Sequence, residues 1–234
     1  PGLASPVERL WLVAGLVLLC VLPALALVAP RRFPELVAPR AANTPPDPMQ
    51  SPALVRMWLA RLLIQISEAA LFAFLYFWFR TVDSALDDAR IAQVFGVVLL
   101  CSIPVSVVAG RWSDRAGRPF LPLPVAATAA ATGLVLMALA GSTFAAIASY
   151  ALFGLAATVF LSLHSAQTLR VLPRPERRAL HLGLFNLTNT TPSLVMPWMV
   201  VVIEPVFGFS GLFVALALCA LAAAGLLASI RTRN

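Results

Sequence analysis

Gly110-Arg111-Trp112-Ser113-Asp114-Arg115-Ala116-Gly117-Arg118-Pro119 is a polar stretch set between two apolar ones. It carries three arginines and one aspartate, while its upstream neighbour, 91–110, runs for 20 residues without a charge. A helix needs ~20 mostly apolar residues, at about 1.5 Å each, to cross a bilayer. Residues 91–110 therefore read as a span and the polar stretch as the loop that ends it. Downstream, 119–169 holds 51 residues free of Asp, Glu and Arg. That length makes two spans, and Gly141-Ser142-Thr143 supplies the turn between them.

The same ruler works outward along the chain. Uncharged intervals of 21, 25 and 26 residues cover 10–30, 179–203 and 205–230. A further segment, 52–79, is apolar from Ala69 to Phe79 but carries Arg56, Arg61 and Glu68, and it reads as a span with a functional face. Seven helices are predicted, at about 10–30, 52–79, 91–110, 120–140, 143–168, 179–203 and 206–230. The first is long enough to span and lacks a small-residue cleavage pattern, so it is not read as a signal peptide.

Composition agrees. Of 234 residues 60% are hydrophobic and 12% charged, against roughly 45–50% and about 25% in soluble domains. All 17 basic residues are arginine, which excludes Schiff-base chemistry and a P-loop lysine. His164 and His181 stand far apart, and Cys20, Cys101 and Cys219 lie in apolar runs, so neither a metal site nor a disulfide framework is predicted. No cofactor is expected. No HExxH or GxSxG motif occurs and no helix carries a pair of intramembrane acids, so the chain is not read as an enzyme.

The net charge of +7 becomes a topology signal once the arginines are sorted by side. With seven spans, 14 arginines fall on one side. Only Arg9, Arg80 and Arg90 fall on the other, with Asp83, Asp87, Asp88 and Glu204. The positive-inside rule then puts the amino terminus of this chain outside and its carboxyl terminus in the cytoplasm, and it argues against a nucleic-acid partner. Between Arg31 and Ser51 there are five prolines, which cannot continue a helix. The organisation predicted is an all-α polytopic bundle: a single helix within 1–30, a cytoplasmic Pro/Arg-rich linker over 31–51, and six helices over 52–234.

The quoted loop resembles the G-x-x-x-D-R-x-G-R-[RK] signature of the major facilitator superfamily of secondary transporters. Gly110, Asp114, Arg115, Gly117 and Arg118 match, and Pro119 departs from the pattern. The resemblance implies a gating loop in which Asp114 among arginines latches one conformation. It also implies that the linker is the central loop of a twelve-span protein, that the first helix is its sixth span, and that the rest form its carboxyl-terminal half. A missing amino-terminal half, or a second copy, would complete it. Val171-Leu172-Pro173, Glu176-Arg177-Arg178, Gly183-Leu184-Phe185-Asn186-Leu187 and Pro192-Ser193 are similar to the glycoside–pentoside–hexuronide and sucrose–proton symporters. This implies a sugar or glycoside substrate.

Polar residues within the spans are the candidate site. Arg61, Gln65 and Glu68 fall at i, i+4 and i+7, on one helix face. Glu68 stands near mid-membrane, where a charge costs about 2.5–3.5 kcal/mol on insertion scales. Two readings stay open: a proton-coupling carboxylate facing a cavity, with Arg61 beside it, or a structural role in an Arg61–Glu68 pair or a bond across to another helix. Asn186, Asn189, Thr190 and Ser193 share a face of a helix interrupted by Pro192 and Pro197, as substrate-binding amides or as helix-packing contacts. Phe72 continues the Glu68 face, either to stack on a sugar ring or as part of the aromatic belt running to Phe79. His164 and Gln167 read as snorkelling or capping groups.

The function expected is secondary active transport of a small polar solute, a sugar or glycoside, by alternating access with proton or sodium coupling, in a bacterial inner membrane. The alternative is a half-size membrane scaffold, assembly or receptor protein.

Overall fold

The computed structural model describes residues 6–27, 52–115, 120–171 and 178–230. All the elements among them are helices: α1 (Pro6–Leu27), α2 (Pro52–Val82), α3 (Asp88–Arg115), α4 (Pro122–Ala138), α5 (Thr143–Val171) and α6 (Arg178–Ala228). The chain divides into two compact units, Pro1–Pro46 and Asp47–Asn234. The first holds α1, 22 residues long with Pro23 inside it. The linker 31–51, and with it the expected cytoplasmic loop, lies outside the described residues.

In the second unit four helices, α2, α3, α5 and α6, contain stretches long and apolar enough to cross a membrane. The protein is thus a helical, multi-pass membrane protein. The shorter α4 starts on Pro122 with no side-chain cap; proline fits there because its missing N–H is one of the donors a helix start leaves unpaired. The turn expected at Gly141 to Thr143 is present, and Ser142 Oγ accepts from the Ala145 amide at 3.3 Å to start α5.

At 51 residues, a straight α6 would run about 77 Å, more than twice the ~30 Å hydrocarbon thickness. It reverses instead at Gly208, whose φ of 64° and ψ of −172° are non-helical. Both ends of α6 then meet the same end of α2: Trp58 Nε1 donates to the Leu184 carbonyl at 2.8 Å, and Arg56 Nη1 to the Ser229 carbonyl at 2.9 Å. Two helices were predicted here, and the reversal lies a few residues beyond the Glu204 break. Glu204 and Pro205 continue the first arm, because only a glycine tolerates the backbone angles of the turn.

Packing is by small residues, as expected where lipid tails give no hydrophobic drive between helices. On α4, Ala126, Ala127, Ala130, Ala131 and Gly133 are buried, and a Cβ at Gly133 would stand 2.7 Å from the Phe153 amide nitrogen of α5. The second arm of α6 buries Leu216, Ala217, Ala220 and Ala223. Helix α2 packs on α5 and α6, and α4 on the same two. Helix α3 rests chiefly on α5 and leaves Leu100, Ile103 and Val108 exposed.

Candidate functional site

Helix periodicity brings Arg61, Gln65 and Glu68 to one stripe of α2, and the fold divides that stripe between two tasks. Arg61 reaches across to α5 and α6. Its Nη1 donates to Ser165 Oγ at 2.9 Å, its Nε to Thr188 Oγ1 at 3.1 Å, and its Nη2 to Asn189 Oδ1 at 3.4 Å. Gln65 Nε2 donates to the same Asn189 oxygen at 2.9 Å, and Asn189 Nδ2 to Asn186 Oδ1 at 3.1 Å. Four expected site residues, Arg61, Gln65, Asn186 and Asn189, therefore form one network. Thr190 and Ser193 donate to carbonyls of their own helix.

Ser165 and the fully buried Thr188 complete the network, and neither was among the expected site residues. Thr188 stands between two asparagines in sequence, but only the packing of α6 against α2 shows that it faces inward.

One turn toward Pro52, His164 of α5 is fully buried rather than snorkelling to an interface. Its Nε2 lies 2.9 Å from the Met57 carbonyl of α2. A carbonyl only accepts, so Nε2 carries the proton. Nδ1 is left facing the Thr168 hydroxyl at 3.2 Å. Phe160 and Phe185 flank the ring at 5.4 and 5.8 Å. Gln167 is also buried, and its Oε1 has no hydrogen-bond partner among the described residues.

Glu68 turns the other way. It is half-buried halfway along α2 and lines a cavity of about 420 Å³ between α2, α3 and α5. Among the described residues its carboxylate makes no hydrogen bond and no ion pair. Arg61 and Tyr150 are near enough to interact with Glu68 electrostatically.

Gln65 and Phe72 of α2, Phe95 of α3, and Tyr150, Phe153 and Thr158 of α5 also face the cavity. Phe72 meets Phe95 edge-on at 6.3 Å, and Phe95 meets Tyr150 at 5.2 Å. Phe72 therefore belongs to the cavity rim, while Tyr76 stacks under Arg80 with the guanidinium 4.8 Å from the ring centre.

The described part of the signature stretch stands apart from both groups. Gly110, Asp114 and Arg115 lie in the last turns of α3, which runs on to Arg115, so the loop begins later than expected. A Cβ at Gly110 would meet Leu163 of α5 at an ordinary 3.7 Å. Gly117 and Arg118 lie outside the described residues.

Outside the spans, Asp83 joins the α2–α3 connection to the start of α5. It accepts from Thr143 Oγ1 at 2.8 Å and from the Ala85 amide at 3.0 Å. The Thr143 hydroxyl first, and then the Ala85 amide, hold its carboxyl below the ordinary value of 3.8. No family model, curated protein or solved structure matches the chain.

Proposed function

We propose that the chain is part of a secondary active transporter of the major facilitator type, working by alternating access in a bacterial inner membrane, with Glu68 as the group that carries the coupling proton. The observation that carries this reading is a carboxylate at the middle of an apolar 31-residue helix, facing a cavity, with no hydrogen bond or ion pair among the described residues. A charge at that depth is costly. Taking up a proton removes the charge, so the group changes state when the cavity changes its access to water.

The exposed amides of Asn186 and Asn189 support the same reading. Polar groups on an otherwise apolar helix call for water or a partner bundle rather than lipid. A device of this kind rocks two bundles against each other, so six helices work with an opposing half or with a second copy. In this reading the arginine-rich ends face the cytoplasm and the Arg80–Asp88 end faces outward.

The test is Glu68→Gln in the full chain, reconstituted in liposomes. Proton-driven accumulation is lost, while exchange of solute down its own gradient persists. Unchanged accumulation overturns the assignment.

A further inference from the structure

The cavity at Glu68 also carries information about its ligand. Its walls are aromatic and aliphatic, with Phe72, Phe95, Tyr150 and Phe153 around the single carboxylate. The polar atoms left available are few. Gln65 gives one amide N–H to Asn189, which leaves its Oε1 and a second N–H. Thr158 donates its hydroxyl proton to the Gly154 carbonyl at 2.8 Å.

The one guanidinium on the stripe is turned away, to Ser165, Thr188 and Asn189. Hydroxyl-rich solutes need many donors and acceptors together, and besides Glu68 only Gln65, Tyr150 and Thr158 offer polar atoms here. A cavity of about 420 Å³ is within the range that holds drug-sized molecules.

Resting on the reading of Glu68 as the coupling group, we propose that this cavity binds an organic cation with an apolar, aromatic body, its charge on the Glu68 carboxylate and its body against the Phe72, Phe95 and Tyr150 rings. Aromatic faces attract cations through the ring quadrupole, and the carboxylate supplies the countercharge. Cation and proton then compete for one group. The charged and titratable groups that interact with Glu68 are Arg61 on its own helix, whose guanidinium points to α5 and α6, and Tyr150 on α5. Helix α3 presents only Phe95, Val98 and Leu99 to the cavity, and the α6 amides face Arg61 and Gln65.

The experiment is equilibrium binding of radiolabelled tetraphenylphosphonium to the full chain in nanodiscs of neutral lipid, with an uncharged aryl glycoside as competitor. Saturable binding is expected, displaced by acidification and not by the glycoside. Glu68→Gln weakens it by about tenfold or more, and Glu68→Asp retains it. Phe95→Leu weakens it by about threefold. Monodisperse elution of each variant separates a lost site from a lost fold.

Absence of saturable binding to the wild-type chain overturns the proposal, as does binding indifferent to Glu68→Gln or displacement by the glycoside. These outcomes are distinct from failure of the transport reading. A chain that accumulates an uncharged glycoside through Glu68 but ignores the phosphonium keeps that reading and loses this one.

Discussion

Arg61 and Glu68 share one stripe of α2, two turns apart, and do not pair. The guanidinium crosses to Ser165, Thr188 and Asn189, while the carboxylate faces the cavity with Phe72 and Phe95. Of the readings the stripe allows, a structural ion pair would have silenced both charges, whereas a bond across to another helix is what Arg61 makes. The observed arrangement uses Arg61 to join three helix segments and leaves Glu68 facing the cavity.

Arg61→Ala should therefore act mainly on stability. Interhelical hydrogen bonds in membranes average about 0.6 kcal/mol, so losing this set costs about 1–2 kcal/mol. Arg61→Lys keeps the charge without the planar fork and recovers only part of it. Unfolding of both variants in dodecyl sulfate titrations checks the order wild type, Lys, Ala.

Gly208 gives a purely torsional test. A methyl there meets no atom within 4 Å, yet the residue sits at φ 64°, in a region open essentially to glycine alone. Gly208→Ala should destabilise by about 1–3 kcal/mol. Gly225→Ala, also with nothing within 4 Å but inside the helix, should be neutral or stabilising. Equal effects in the same titration would refute the account of the reversal.

Gly133 and Gly154 separate backbone crowding from side-chain crowding. A Cβ at Gly133 would lie 2.7 Å from the Phe153 nitrogen and 2.9 Å from its Cα, whereas at Gly154 the near atom, also at 2.7 Å, is the Val98 Cγ1 methyl. Valine is stiff at χ1 in a helix, but a single side-chain methyl is displaced at less cost than a helix backbone. Gly133→Ala should cost about 1–3 kcal/mol and Gly154→Ala distinctly less, read from thermal aggregation midpoints in detergent.

The Asp83 contact to Thr143 predicts a pH dependence. Its carboxyl is held below the ordinary 3.8 in the folded protein, so its contribution is complete above that value and is lost as pH falls through the lower folded one. The wild-type chain should lose thermal stability on acidification below about pH 4. Thr143→Val, without the hydroxyl, should be less stable at neutral pH and lose less on acidification; parallel curves for the two would remove Asp83 from the explanation.

Much of the architecture was legible because a bilayer imposes a length on every crossing. The spacing of arginines marked α2, α3, α4 and α5, and the glycine-serine turn before Thr143 was visible as such. Boundaries set by charge were less secure. Helix α3 runs past Gly110 to Arg115 and the first arm of α6 past Glu204 to Gly208, since a charge does not itself end a helix and the reversal needs the backbone angles of a glycine.

For the site, periodicity alone put Arg61, Gln65 and Glu68 on one face, and Asn186 with Asn189 on another. It carried no information about which faces meet. The roles of Ser165 and Thr188, and the burial of His164 against Met57, depend on how α5 and α6 dock on α2.

The sequence by itself determined that this is a multi-helix membrane protein and which few polar residues lie at depth, because hydrophobic length and helical period are local properties. Tertiary structure decided that Arg61 is spent on packing and that Glu68 looks into an aromatic cavity. Two side chains two turns apart share a helix face, but each turns toward the neighbour that packs against its own level.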